Sequence, residues 1–286
     1  MSATGTAVPS PPRPIAPPGG GPSPRLGERL WSGVDALGGV VLIAARSVAC
    51  WVTPPWSSWW PEAVDQAWIL IKRCMLPTGI SVFVFGYGPV GVEGGTFFKA
   101  LGQVDRLGGL YSVGAVREYV PWVTGMVVAG VAGTAITADL GARKVRDELE
   151  ALAVMGVDAV RTLVAPRILA LTLVLPLLNL VGLVFASAAG VVVEVAEHGT
   201  FAGYFASFTA GFSPIDMVAN VAKTAVFGFL VAVVCCYRGL TAKGGSEGVG
   251  RAVNVAVVQS FAAVWIFNFA FNALYLAAFP GALSVR

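Results

Sequence analysis

Apolar runs of about 20 residues alternate with short polar stretches along most of the chain. One polar stretch, residues 133–167, stands apart from the others. It reads GTAITADLGARKVRDELEALAVMGVDAVRTLVAPR and holds five Lys/Arg and five Asp/Glu between two apolar runs. Val145, Leu149, Leu152 and Met155 recur in it at steps of four and three, which is one stripe of a helix over residues 142–156. Arg143, Lys144, Arg146, Asp147, Glu148 and Glu150 fill the remaining faces. Gly156 and Asp158 can end that helix, because glycine takes left-handed backbone angles at little cost. Pro166 has no N–H and bars helix continuation backwards. The pattern predicts a short amphipathic helix hung between two membrane spans.

Five spans are predicted, at residues 77–98, 119–139, 168–193, 217–237 and 253–279, each long enough to cross the hydrocarbon core. The run 34–52 is apolar too but contains Arg46. Arginine near a helix centre costs about 2.5–3.5 kcal/mol, so a helix lying in the membrane interface fits better. Trp51, Trp56, Trp59 and Trp60 follow it as a headgroup-level belt. Residues 62–75, ending in Lys72-Arg73, are a second interfacial candidate. The division is therefore a disordered tail at 1–24, interfacial helices at 25–76 and a five-span domain at 77–286. The tail holds eight of the 18 prolines, and such a segment buries too little apolar surface to fold. It lacks the basic start and apolar core of a signal peptide.

Charge orients the spans. The stretch after span two carries five Lys/Arg, and the loop after span four carries Arg238, Lys243 and Arg251. The loop at 194–216 carries none. By the positive-inside rule the first two face the cytoplasm, and so does the N-terminus, while the C-terminus lies outside. Arg25, Arg29, Lys72 and Arg73 agree. Composition supports a polytopic membrane protein: 56% of residues are hydrophobic and 12% charged, against about 25% charged in a soluble domain. Mean hydropathy is +0.75. A net charge of +3 is too small and dispersed for a nucleic-acid partner. Cys50, Cys74, Cys235 and Cys236 show neither metal spacing nor a disulfide framework. His198, the single histidine, has no cluster to join and reads as structural or solvated. Small residues crowd the first two spans, which predicts a tight bundle or an oligomer.

The polar stretch resembles the MlaE/YrbE permease family, the membrane subunits of Mce-type ABC lipid transporters. The resemblance rests on Gly133-Thr134-Ala135, Ala138-Asp139-Leu140-Gly141, the acidic run 147–152, Val154-Met155-Gly156-Val157-Asp158 and Leu163-Val164-Ala165-Pro166-Arg167. Upstream, Arg117-Glu118-Tyr119-Val120-Pro121 is similar to the family's Arg-Glu-x-x-Pro. Val131 departs from an arginine, and Ala159 from a proline, that many members carry. The match is specific over about residues 115–170 and looser from about 77 to the end.

What the resemblance implies is a permease in the inner membrane, paired with a second permease that is a paralogue. Two ATPase subunits would bind inside and Mce proteins outside. Fatty acids or sterols would be imported, with retrograde phospholipid transport as the alternative. ATP and magnesium would sit on the ATPase, because this chain has no Gly-x4-Gly-Lys-Ser/Thr phosphate cradle, nor a Ser-His-Asp or Cys-His constellation. The coupling residues would be Arg146, Asp147, Glu148, Glu150, Leu152, Met155 and Asp158. A lipid cavity at the dimer interface would be lined by Phe97, Phe98 and Leu101, with Arg117 contacting the headgroup. A plain packing role for both phenylalanines stays open. Ionisable residues inside spans are expensive and often functional. Glu93 is expected to face inward, while Glu118 and Lys223 either function or snorkel to the interface. Two other readings are a secondary transporter driven by Glu93 protonation and a structural anchor of an envelope complex.

Overall fold

A computed structural model of the chain describes residues 26–54 and 59–278, with side chains from Asp35 onward. The proline-rich tail at 1–24, Trp56 and the last residue of span five lie outside the described residues. Residues 1–38 and 39–286 form two units. The first is described only as the start of a helix, and the second carries everything that follows.

Among the described residues all regular structure is helical. The helices are α1 (Leu26–Val52), α2 (Trp60–Ala100), α3 (Val104–Val145), α4 (Glu148–Val154), α5 (Val160–Ala196), α6 (Phe201–Gly211), α7 (Pro214–Leu240) and α8 (Gly245–Ala278). Six of them, all but α4 and α6, are long and apolar enough to cross a bilayer. The chain is an all-α polytopic membrane protein, as its apolar runs predict.

Three boundaries differ from the sequence reading. Residues 62–75 are not a separate interfacial helix. They are the first turns of α2, a helix of 41 residues that runs through Pro77. Its length is about 60 Å at 1.5 Å per residue, twice the hydrocarbon thickness. A proline inside a helix costs about 3 kcal/mol, which the packing of α2 along α5 offsets here. Span two starts earlier than position 119, since α3 is already helical at Leu107. The link at 194–216 contains α6, which packs on the first turns of α3.

Prolines do not break these helices: Pro77 and Pro176 lie inside regular α-helix, and three others sit in or just after a widened turn. Turns of π-helix occupy Gly86–Val92 around Pro89, Ala115–Tyr119 before Pro121 and Val160–Val164 before Pro166, with a fourth at Ala129–Gly133. A proline removes one N–H donor, and an i→i+5 bulge accommodates the carbonyl it leaves. Pro166 thus fails to stop the helix backwards, because the π turn at Val160–Val164 carries it through.

Two clusters form the interior. Val128, Ala132, Ile136, Leu140, Ile168, Leu171, Phe227, Val231 and Cys235 fill the half that carries α4. Val82, Leu107, Tyr111, Tyr119, Val193 and Tyr204 fill the half that carries α6. Helices approach closely between them. A Cβ on Gly228 would lie 2.4 Å from the Leu171 carbonyl oxygen, the kind of backbone contact that small residues permit in membranes.

From Gly39 onward, α1 keeps to one half of this bundle. Gly39 lies against Tyr237, Arg46 pairs with Asp158 at 3.0 Å, and Trp51 Nε1 donates to the Ala165 carbonyl at 3.2 Å. The Thr53 carbonyl accepts from Arg161 at 3.0 Å. These contacts span 14 residues, about 20 Å of helix, yet all fall in the half carrying α4.

Candidate functional site

Two polar regions stand out against this apolar interior, one at the α4 end and one inside the opposite half. At the α4 end, the helix expected over 142–156 is broken in two. α3 ends at Val145, Asp147 takes a left-handed φ of 59°, and α4 restarts at Glu148. Aspartate tolerates that conformation better than most residues, and hydrophobic spacing does not reveal it. Gly156 then takes φ 74°. Its N–H donates to Ala153 and the Val157 N–H to Leu152, closing α4 with a Schellman turn as the glycine predicts.

Most of the residues expected to couple gather here. Arg146 Nε contacts Glu148 at 2.7 Å, Arg143 Nη1 contacts the same carboxylate at 3.6 Å, and Lys144 Nζ contacts Glu150 at 2.8 Å. The Lys144 ammonium holds the Glu150 carboxyl below its ordinary range. All these pairs are solvent-exposed, so each contributes under about 1 kcal/mol. No side chain of α4 is buried. Leu152 is half-buried, Met155 is exposed, and Val154, outside the predicted stripe, is 90% exposed. Asp158 stands apart on the next turn, where it accepts from the Val160 N–H and from Arg46.

One buried tie clasps together the two helices that flank this exposed link. Arg167, only 4% exposed, donates from Nη2 to Asp139 at 2.6 Å and from Nη1 to the Leu163 carbonyl at 2.9 Å. It thereby joins the last turns of α3 to the first turn of α5.

The second region surrounds the π turn Ala115–Tyr119. Arg117 pairs with buried Asp216 at 2.9 Å, and Tyr275 donates its hydroxyl to the same aspartate. Lys223, 2% exposed, donates to the Arg117 carbonyl at 2.6 Å and to Asn272 at 3.0 Å. Asn272 in turn donates to Glu118 at 2.9 Å. Asn220 donates to the Val116 carbonyl and accepts from Asn179. Side chains of α7 thus serve the carbonyls that the π turn presents. Lys223 does not snorkel; it is a buried hub. Asp216, Asn220, Asn272 and Tyr275 escape the sequence reading, although Asp216, Asn220 and Lys223 recur at steps of four and three, one polar stripe in an apolar helix.

The residues proposed for lipid do not gather in one place. Glu93 and Phe97 share one exposed stripe of α2, and exposed Leu101 continues it just past the helix end. Phe98 turns inward onto the Tyr111 and Tyr204 cluster. Arg117 and Glu118 face α7 and α8. The expected inward position of Glu93 is a correction: Gly91 and Gly95 take the inward face of that turn, against Val193, and leave Glu93 outside. An apolar groove of about 680 Å³, whose volume and lining suit a hydrocarbon chain, lies between α5, α6 and the start of α7. Leu180, Val184, Val192, Phe201, Phe205 and Met217 line it.

Comparison with known proteins places this architecture. The family model described as Permease MlaE matches residues 63–274, from the start of α2 into the last turns of α8. A "Probable ABC transporter permease protein" of Synechocystis sp. is 35% identical over 173 residues, 60% of this chain and 66% of that protein. A protein of the same description from Rickettsia bellii is 26% identical over 251 residues, 87% of this chain and 96% of its own length. Protein TRIGALACTOSYLDIACYLGLYCEROL 1, chloroplastic, of Arabidopsis thaliana is 33% identical over 179 residues, 62% of this chain and 51% of that protein. With its helices, its polar link and its matched span in view, the chain belongs to the MlaE permease family.

Proposed function

We propose that this permease is the membrane subunit of an ATP-driven, Mce-type lipid transporter, and that α4 is where the ATPase docks. The observation that carries the reading is the exposed link, where Arg143, Lys144 and Arg146 balance Asp147, Glu148 and Glu150, between two spans that buried Arg167 clasps together. A push on α4 reaches α3 and α5 together through that tie. Val154 and Met155 add an apolar knob to the charged surface, a mixture that suits a protein partner. The Lys/Arg-rich end carrying α4 faces the cytoplasm of the inner membrane, and α1 lies in the interface at that level. A second permease, a paralogue, covers the exposed stripe of Glu93, Phe97 and Leu101, and lipid passes at that seam. Mce proteins sit on the far side, and the cargo is a fatty acid or sterol.

Charge reversal tests the docking assignment. Glu148→Lys with Glu150→Lys is expected to leave membrane insertion intact, since both side chains are exposed. Co-purification of the ATPase should fall at least about tenfold, which is 1.4 kcal/mol of affinity. If the double variant keeps its ATPase and still moves lipid, these carboxylates are only a solvated face. Transport by the purified complex with and without ATP separates this reading from a proton-driven carrier and from a passive anchor.

A further inference from the structure

The end of α5 holds a buried acid that the coupling link and the π-turn network do not use. Glu194 is fully buried, and neither of its carboxylate oxygens has an N–H or O–H donor among the described residues. Beside it, across the Gly199–Thr200 turn, stands another carboxyl, that of Asp105. Asp105 lies on the 3-10 turn that opens α3. Its Oδ1 accepts from the Thr200 N–H and hydroxyl, both at 3.1 Å, and Thr200 is the N-cap of α6. The turn between α5 and α6 closes over the pair. His198 takes a left-handed φ of 67° there, and the Gly199 N–H reaches back to the Glu194 carbonyl at 2.8 Å. Two glycines make the approach possible. A Cβ at Gly199 would lie 2.6 Å from Glu194 Oε1, and one at Gly203 would lie 2.3 Å from Asp105 Oδ1.

Two ionised carboxylates packed on one turn, one of them buried, repel strongly unless something positive lies between them. No cation is in place among the described residues. Lys99 is engaged by Glu197 at 2.7 Å, and Arg106 is exposed on the turn that carries Asp105. His198 lies on the closing turn. Tyr204 of α6 and, behind it, Tyr111 and Tyr119 of α3 are buried ionisable groups on this side.

We propose that Glu194 and Asp105 share one proton and form a latch that pins α6 to the bundle. The Glu194 O–H donates to the Asp105 carboxylate, which in turn holds the N-cap of α6. Opening the latch exposes Glu194 to water, where it gives up the proton. The closed state binds more protons than the open one, so the latch holds at lower pH and weakens as pH rises. Because α6 forms one wall of the apolar groove, its release would also open that groove.

Hydrogen exchange of the α6 amides in the full chain, reconstituted in lipid nanodiscs, reads this out. After correction for intrinsic exchange, wild-type amides at 203–211 should exchange about tenfold faster near pH 8.5 than near pH 6. Glu194→Gln should stay slow at both values, because the amide donates to Asp105 without ionising. Asp105→Asn, which gives Glu194 a permanent donor, should also lose the response. His198→Gln should keep it. Equal wild-type protection at both pH values overturns the proposal, as does a Glu194→Gln response matching wild type. Protection that follows sodium or calcium concentration at fixed pH also overturns it, since a cation would then be the bridge.

Discussion

Asp139→Ala should destabilise the chain by about 3 kcal/mol, near the lower end of the cost of breaking a buried ion pair. Arg167 is 4% exposed, and Asp139 supplies its carboxylate. Removing that carboxylate strands a buried guanidinium. The lower end applies because Asp139 is itself 43% exposed, and water reaching the site screens part of the loss. Arg143→Ala, which removes the second and more exposed partner of Asp139, should cost under about 1 kcal/mol. Replacing the pair together, Asp139→Ala with Arg167→Met, should recover most of the loss, because an apolar pair needs no desolvation. Denaturant unfolding of the purified chain in detergent, followed by helical circular dichroism, measures all three. Equal effects of Asp139→Ala and Arg143→Ala would show that burial of Arg167 does not govern the tie.

How far the sequence could be read depended on the range of the interaction. The polar link was legible because its charges interrupt apolar runs and because Gly156 marks a left-handed turn, which the structure places at φ 74°. The break at Asp147 was not, since stripe periodicity continues unbroken across it. The apolar spans were legible from length. Their extensions were not: residues 107–118 are rich in glycine and carry charge only at the end, so neither hydropathy nor capping marks them as helix. α6 was missed for a related reason, because an eleven-residue aromatic segment between two glycine-containing turns reads as loop. The inward face of α2 went wrong at Glu93 because one helix alone does not say which stripe meets a neighbour. In this turn the small residues Gly91 and Gly95 take that role. The pairings of the π-turn network were beyond reach. Arg117 meets Asp216 across 99 residues and Tyr275 meets it across 59, and one sequence contains no signal for such pairs.

The same network yields the last expectation, which separates architecture from function. Asp216→Ala should destabilise by about 3–5 kcal/mol. Asp216 is 4% exposed and Arg117 16%, so the guanidinium would lose its carboxylate where water screens little, and the Tyr275 hydroxyl would lose this acceptor. Lys223→Met should behave differently although Lys223 is at least as buried. Its ammonium touches a carbonyl and an amide oxygen, not a carboxylate. Losing it leaves two acceptors short of a donor, at about 1 kcal/mol or more each. It also removes the desolvation of a buried cation, several kcal/mol in the other direction. The two effects nearly cancel, and stability should stay within about 1 kcal/mol of wild type. Unfolding of both variants in detergent tests the contrast, and ATP-dependent lipid transport by the Lys223→Met complex tests the role. A stable variant that no longer transports would assign the buried charge to the working cycle. A variant as unstable as Asp216→Ala would make Lys223 part of the scaffold that holds the π turn against α7.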